Sequence, residues 1–360
     1  GLIETFRKNN NEKLKTDQEK EKNDRDHLRQ VRAGRRERYT KAVEQLGDEK
    51  APIRMGGVYT LVGLVDEWLE DESIDKYEDR LKEGQVIINN LCAYIRSPFT
   101  LASHYNELSN PTPKGIYKDK KEKFYADKAT LDSETDVRLG IIKEIHDRLQ
   151  DSDKNTPGAW SDFEYDFSGS TFFYPIDLTN SYYAKPINFS GSTYTSWADF
   201  SGSTYKGEAY FRNSTYQSKA IFNGSTYKGR TVFIGSIFYS DVSFGENNEN
   251  GSSSCFTKYT PNFYQKNYYQ KTLFGSINNN FTVDNDKGHP IYLNPEGIPL
   301  KCKFLTLEQK EYLEGKFQEI EKINNKLFEV KDLKEKEELS KKLQALNEEL
   351  HKWREEVTTV

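Results

Sequence analysis

The stretch that decides the fold is ADFSGSTYKGEAYFRNSTYQSKAIFNGSTYKGRTVF, residues 198–233. Phenylalanine and tyrosine recur along it at intervals of five and six residues in turn, which gives a period of eleven and indicates a repeat architecture. The first series of bulky residues is Phe167, Leu178, Phe189, Phe200, Phe211, Phe222, Phe233 and Phe244. The second series follows five residues later in each period: Phe172, Tyr183, Tyr194, Tyr205, Tyr216, Tyr227 and Phe238.

A small residue stands two positions before most of these bulky residues. Alanine takes this place in the first series, as at Ala198 and Ala209, and serine in the second, as at Ser203 and Ser214. We expect small and bulky side chains both to point inward, where the rings can stack on one another. Such ring pairs contribute about 0.5–1.5 kcal/mol each beyond their burial.

The alternation of ADFSG with STYKGE resembles the pentapeptide-repeat family, and the resemblance covers roughly residues 163–245. It implies a right-handed quadrilateral parallel β-helix with four repeat units in each coil. We predict this β-helix over residues 161–280, interrupted by a surface loop at GENNENGSSS (245–254). Phe263, Tyr268 and Phe274 restore the spacing of five and six and are interpreted as one further coil. A connecting segment is predicted at 281–305.

Helices are predicted before the repeat: one long charged helix over residues 1–46 and an α-helical domain over 47–150. An Ile/Val-Arg-x-Gly core occurs at Ile53 and again at Val137, 84 residues on, which is about two HEAT-type lengths. A HEAT-like stack and a coincidence between two amphipathic helices both explain it. ERYTKAVEQLG and IRMGGVYTL also resemble the helical region that precedes the repeats in many bacterial pentapeptide-repeat proteins, which implies a bacterial source.

After the repeat, residues 306–358 have helical periodicity. Thr306 and Gln309 form a capping-box pattern, and Asp332 could begin a second helix. The coiled-coil-type seam is Leu339, Leu343, Leu346, Leu350, Trp353 and Val357. The segment is either one long helix with a stutter, which favours a homodimer, or an antiparallel hairpin that closes on the β-helix. We expect the flanking helices to cap the open sheet edges of the rod.

Composition limits the cellular setting. The chain has 52 basic and 57 acidic residues, and its net charge of −5 is too small to indicate a nucleic-acid partner. Three separated cysteines, Cys92, Cys255 and Cys302, are predicted to be buried thiols in a reducing compartment. The chain starts at Gly1, so we expect a missing N-terminal segment. The predicted location is the bacterial cytoplasm or the cytoplasmic face of the membrane.

The sequence predicts no enzyme. No catalytic motif is present, the five histidines are isolated, and we predict no catalytic, cofactor-binding or metal-binding residues and no cofactor. What the repeat offers instead is its outer surface. Tyr210 and Val232 should stack as a small exposed apolar patch, and Trp197 should lie outside above Lys219. The candidate partner-binding surface is therefore Trp197, Tyr210 and Val232.

These observations predict a non-enzymatic interaction scaffold for a protein partner. A membrane contact is a further option, through the missing N-terminal segment or through the arginines between Arg29 and Arg38, although a solvated helix face explains the arginines as well. The alternative implied by the family resemblance is mimicry of duplex DNA that modulates gyrase. Mimicry needs a row of negative charge, but residues 161–245 hold nearly equal numbers of acids and bases. The acids are Asp162, Glu164, Asp166, Asp177, Asp199, Glu208 and Asp241, and the bases are Lys185, Lys206, Arg212, Lys219, Lys228 and Arg230.

Overall fold

The computed structural model describes residues 2–150, 156–248, 251–266 and 270–359. The chain divides into two compact units between Ile87 and Ile88. In the first unit, α1 (Leu2–Leu46) is followed by α2 (Ala51–Leu69), and both helices pack closely where Gly57 faces the backbone of Ala42. Helix α3 (Tyr77–Arg96) contains the division. The predicted HEAT-type repeat stays a prediction.

The second unit begins with short helical segments. A 3₁₀ turn (Thr100–His104) leads into α4 (Tyr105–Leu108), and a second 3₁₀ turn (Gly115–Tyr117) precedes α5 (Lys121–Leu149). The β-solenoid that follows has about four turns and four parallel sheets. With the helices on both sides, this confirms the predicted α+β architecture.

We call the four sheets faces A to D, in the order in which the chain visits them. Face A contains β1 (Tyr165–Asp166), β5 (Ile187–Asn188), β9 (Ala209–Tyr210) and β13 (Thr231–Val232). Face B contains β2 (Thr171–Phe172), β6 (Thr193–Tyr194), β10 (Thr215–Tyr216), β14 (Ile237–Phe238), β19 (Leu273–Phe274) and β20 (Lys303–Phe304). Face C contains β3 (Ile176–Asp177), β7 (Ala198–Asp199), β11 (Ala220–Ile221) and β15 (Val242–Ser243). Face D contains β4 (Tyr182–Tyr183), β8 (Thr204–Tyr205), β12 (Thr226–Tyr227) and β16 (Cys255–Phe256).

The interior confirms the predicted pattern of small and bulky residues. Phe211 stacks between Phe189 and Phe233, with ring centroids 5.4 and 5.1 Å away, and both inward series are buried. From Ser192 to Ser236 the inward serines have a specific role, because each donates a hydrogen bond to a backbone carbonyl of the preceding coil. Ser214 Oγ, for example, donates to the Phe189 carbonyl at 2.8 Å. The small polar position is therefore satisfied although it is buried.

The corners of the solenoid explain why glycine or asparagine recurs every eleven residues in the sequence. From Phe167 to Phe233, the residue two positions after each first-series residue has a positive φ, a conformation that glycine and asparagine adopt at low cost. These residues are Gly169, Asn180, Gly191, Gly202, Asn213, Gly224 and Gly235, with φ between 51° and 72°. The corner conformation thus repeats every eleven residues, like the rings.

The last coil corrects the predicted register. Phe263 stacks on Phe233 of face A and Phe274 on Phe238 of face B, so the two occupy neighbouring faces. The prediction that Tyr268 fills a unit between them falls outside the described residues. An antiparallel pair, β17 (Tyr264–Gln265) with β18 (Gln270–Lys271), leaves the coil at this corner. Two rings of this coil were not predicted: Phe256 stacks on Tyr227 and Phe281 on Phe244.

Helix α5 and the segment after it cap the first coil, as expected. The Trp160 side chain is fully buried, and its backbone N–H donates to the Arg148 carbonyl at 3.0 Å. The Arg148 guanidinium lies 4.9 Å from the Trp160 ring, and Phe99 stacks on Phe173 at 5.5 Å. Aromatic contacts therefore join the helices to the first coil.

The C-terminal segment is the antiparallel hairpin, α6 (Leu307–Glu329) and α7 (Leu333–Thr358). Both predicted caps are present, the capping box at Thr306 and the Asp332 N-cap. The Tyr312 ring near the start of α6 stacks on Trp353 near the end of α7 at 4.9 Å. We call this hairpin the strap, because it packs on face B through a cluster of apolar side chains. The cluster is Ile237, Tyr239, Leu273, Leu305, Leu313, Phe317, Leu350, Trp353 and Val357.

Helix α6 runs along the solenoid from its last coil toward its first. Lys310 Nζ donates to the Gly275 carbonyl at 2.6 Å, and the Glu314 carboxylate accepts from the Tyr239 hydroxyl one coil earlier. Glu321, two turns further on, lies beside His104 and Glu107. Three of the six seam residues, Leu350, Trp353 and Val357, pack on face B. They stabilise the fold of the single chain, although a homodimer would need the same side chains at its interface. The homodimer itself stays a prediction.

Candidate functional site

The interior of the solenoid is filled by rings. In face D, Tyr205 lies between Tyr183 and Tyr227 with centroid distances of 5.1 and 4.8 Å. The hydroxyls of Tyr183, Tyr194, Tyr205, Tyr216 and Tyr227 are buried and have no hydrogen-bond partner among the described residues. Burial raises the pKa of all five. These groups stay protonated near neutral pH, and the filled interior directs the search for a site to the outer surface.

The three residues of the predicted surface lie in different surroundings. Trp197 is 43 % exposed, as predicted. Tyr210 is half-buried, its hydroxyl donates to the Glu208 carboxylate, and the Arg212 guanidinium lies 5.5 Å from its ring. Tyr210 is therefore an aromatic side chain held by its polar neighbours.

Val232 corrects the prediction of an exposed apolar patch, since it is only 5 % exposed. The stacking order Asn188, Tyr210, Val232 is as predicted. However, the chain continues beyond Val232, and a parallel bridge to Asn262 places the last coil directly above it. The prediction ended this stack at Val232, because the period of eleven does not place Asn262 beside it.

The solenoid also separates Trp197 from Tyr210. Tyr210 belongs to face A, whereas Trp197 immediately precedes β7 of face C. In the next coil, Lys219 immediately precedes β11, and Ile221 pairs with Asp199 across the sheet. Trp197 therefore shares its surface with Asp199, Lys219 and Ile221. We call these four residues the face C patch.

Two arginines of the predicted membrane-contact cluster bind acidic residues within the first unit. Arg35 is buried, pairs with Asp71 and lies 4.6 Å above the Trp68 ring. Arg38 makes two hydrogen bonds to Glu67, of 2.7 and 2.6 Å, and this contact lowers the pKa of the Glu67 carboxyl. Arg29, Arg32 and Arg36 are exposed. The membrane contact stays a prediction.

The three cysteines are buried free thiols, as predicted. Burial raises the pKa of Cys92 and of Cys302 to about 12 and also raises that of Cys255. A thiol that is protonated and buried is a poor nucleophile. These side chains therefore serve as small apolar residues of the core.

The strap brings together a group of ionisable residues that sequence reasoning did not find. His104 at the end of the first 3₁₀ turn, Glu107 on α4 and Glu321 on α6 each offer a ligand atom, and these atoms lie within 4.8 Å of one another. We call them the His104 cluster. His104 and Glu321 are 217 residues apart. Because no spacing rule connects such distant positions, the sequence carried no local signal.

The His104 cluster is set into the protein. His104 is 2 % exposed, and its Nδ1 atom has no hydrogen-bond partner within the described part of the chain; nor has the buried Glu107 Oε2. Burial lowers the pKa of His104, so that its imidazole is neutral near pH 7. Burial, and next the Glu107 carboxyl, raise the pKa of Glu321 to about 8. A neutral imidazole and two adjoining carboxyl groups form a set of metal-type ligands.

None of the helices in the described ranges combines the length and the apolar character needed to cross a membrane. Comparisons with models of protein families, with curated proteins and with solved structures found no match for this chain. Any assignment of function therefore depends on the residues themselves.

Proposed function

We propose that this chain is a bacterial, cytoplasmic protein of the pentapeptide-repeat type, and that it works as a non-enzymatic scaffold for a protein partner. Family membership is supported by the unit lengths of five and six and by the inward small and bulky positions. The scaffold role is supported by a filled interior, which leaves the outer faces as the surfaces for contact.

The single observation that carries the proposal is the face C patch. Trp197 is an exposed aromatic side chain, and half-exposed Ile221 lies one coil away with Asp199 and Lys219 around them. Tryptophan is enriched among the residues that dominate binding energy, and a polar rim around it excludes water. The patch thus has the composition of a small protein-binding surface.

Rigidity favours the same use. The strap packs on face B, and the patch projects from strands that are paired on both sides, β7 with β3 and β11 and β11 with β7 and β15. A surface that is already ordered loses little conformational entropy when a partner binds. Binding energy from a few anchors is then enough for a stable complex.

The test is a pull-down from the source cell with the full chain and two variants. In the first variant, Trp197→Ala is combined with Ile221→Glu, which removes the anchor and adds a charge to the patch. The matched control is Lys206→Ala, an exposed change at another corner. We expect wild type and control to retain one protein that the double variant loses by about tenfold or more.

Equal recovery of that protein by all three forms would contradict the assignment of the patch. Recovery of DNA gyrase with inhibition of its supercoiling activity would instead favour mimicry of duplex DNA. The outward positions of face C offer two acids, Asp177 and Asp199, followed by Ile221 and Ser243. This row carries less charge than a duplex strand and supports mimicry less well.

A further inference from the structure

We infer that His104, Glu107 and Glu321 bind one divalent transition-metal ion of the Zn²⁺ class. The inference does not depend on the partner proposed above. It rests on the position, the burial and the unpartnered atoms of the His104 cluster.

Buried polar atoms without a partner are uncommon, and each needs an explanation. Here two such atoms, His104 Nδ1 and Glu107 Oε2, belong to one cluster among the described residues. Among the described residues, Asp127 and Lys123 are further charged groups that act on the pKa of His104. Asp127 accepts a hydrogen bond of 2.8 Å from the Tyr117 hydroxyl, so its carboxylate already has a partner. The unpartnered atoms thus occur where a third ligand, Glu321, arrives from the strap.

The ligand types favour Zn²⁺ over Mg²⁺ or Ca²⁺. One imidazole nitrogen with two carboxylate oxygens is a mixed set suited to a borderline ion, whereas Mg²⁺ and Ca²⁺ prefer oxygen ligands alone. Zn²⁺ holds its N and O ligands at about 2.0–2.2 Å, which places tetrahedral ligand atoms roughly 3.4 Å apart. The ligand atoms of the His104 cluster lie within 4.8 Å of one another, so they must move inward by about 1 Å to bind the ion. Glu321 is half-buried at the end of a flexible side chain and can make this movement.

A metal ion at this place would join two distant parts of the second unit. Helix α6 is fixed by Lys310 beside the last coil and by Tyr239 one coil earlier, while the His104 cluster lies where α6 meets the first 3₁₀ turn. With the ion bound, the strap would be attached near both ends of the solenoid.

The test uses the untagged full chain, stripped with EDTA. It is titrated with Zn²⁺ by calorimetry and with Co²⁺ by visible absorption, which reports the ligand field directly. Glu321→Gln and Glu107→Gln each remove one ligand with little change of shape. Glu311→Gln, an exposed change on the same helix, is the matched control. Weak binding by the exposed His27, His289 and His351 affects the control and the ligand variants equally, so the comparison between them removes it.

We expect wild type and Glu311→Gln to bind one equivalent, and both ligand variants to weaken binding by about tenfold or more. Zn²⁺ should raise the Tm of wild type and control up to one equivalent and leave the Tm of Glu321→Gln unchanged. Circular dichroism in EDTA checks that the variants are folded; if Glu107→Gln is not, Glu321→Gln decides. No saturable binding by wild type, or equal affinity of wild type and Glu321→Gln, would overturn the inference.

Discussion

The regular coils and the last coil build the same cross-section with different sequences. From Phe167 to Phe244, stacked rings are always 22 residues apart. In the last coil the separations are 29 for Phe256, 30 for Phe263, 36 for Phe274 and 37 for Phe281. The extra residues lie at corners, where a longer loop costs little additional entropy. We call each column of rings that stack from coil to coil a ladder. The fold depends on each ring keeping its place in its ladder, whereas the number of residues between successive rings can vary.

The two regions also differ in their buried chemistry. In faces B and D most positions of the regular coils hold tyrosine, with phenylalanine at Phe172 and Phe238, whereas the last coil has Phe256 and Phe274. The unpartnered hydroxyls thus belong to the regular coils, while the inserted loops belong to the last coil. This contrast yields four tests, given from the largest expected effect to the smallest.

High pH should destabilise the regular coils most. Burial raises the pKa of the five ladder tyrosines in the folded state, and the unfolded value is about 10. Their contribution is complete below pH about 10 and is lost above it, because only the unfolded chain then releases protons. The loss reaches about 1.4 kcal/mol per tyrosine for each pH unit. Urea midpoints between pH 8 and about 11 measure it, and a variant with Tyr183, Tyr205 and Tyr227 changed to Phe should show a flatter profile. A midpoint independent of pH would contradict the burial of these hydroxyls.

Removing one ring should cost more in the regular coils than in the last. Phe211→Ala opens a cavity between two stacked rings and should lower the free energy of unfolding by about 3–5 kcal/mol. Phe281 has one ladder neighbour, Phe244, at 6.1 Å, and Phe281→Ala should cost roughly half as much. Chemical denaturation of both variants gives the comparison. Equal losses would show that the last coil is packed as tightly as the others.

Close approach of the backbone should restrict a glycine of the regular coils more than a glycine of the inserted loop. A Cβ atom at Gly229 would collide with the Gly207 carbonyl oxygen one coil away, and Gly229→Ala should cost about 1–3 kcal/mol. Gly251, in the inserted loop, has open space around it and a φ of 66°. Gly251→Ala should therefore cost only about 1 kcal/mol of backbone strain. Thermal unfolding of both variants checks the order, and a larger loss at Gly251 would reverse the comparison.

The smallest effect is a gain. Tyr205→Phe removes a buried hydroxyl without a hydrogen-bond partner and keeps the ring stacked between Tyr183 and Tyr227. We expect the free energy of unfolding at neutral pH to rise by about 1 kcal/mol, since an unmade hydrogen bond is relieved. Denaturation beside Tyr205→Leu, which loses the ring, separates the two contributions. A loss in Tyr205→Phe would indicate that the hydroxyl has a partner, such as a buried water.

The sequence predicted what depends on local spacing. Phe211 and Tyr205 could be placed in the core because eleven-residue periodicity fixes both the strand and the inward direction. Phe256 and Phe281 could not, because corner insertions remove the period while the ladder continues. The neighbour of Val232 in the last coil is Asn262, which the period does not place. Glu321 lies beside His104 because the amphipathic helix α6 packs along face B, and the sequence around either residue does not predict that packing.

The length of helix α6 also matches the number of coils. From Thr306 to Glu321 it rises about 22 Å at about 1.5 Å per residue. The six strands of face B span about 24 Å at about 4.8 Å per step. Repeat proteins commonly grow by duplicating a unit, but one more coil here would displace Glu321 by about three residues of helix. The length of α6 and the number of coils are therefore coupled: a duplication in the part of the gene that encodes the coils would need a matching insertion in the part that encodes α6.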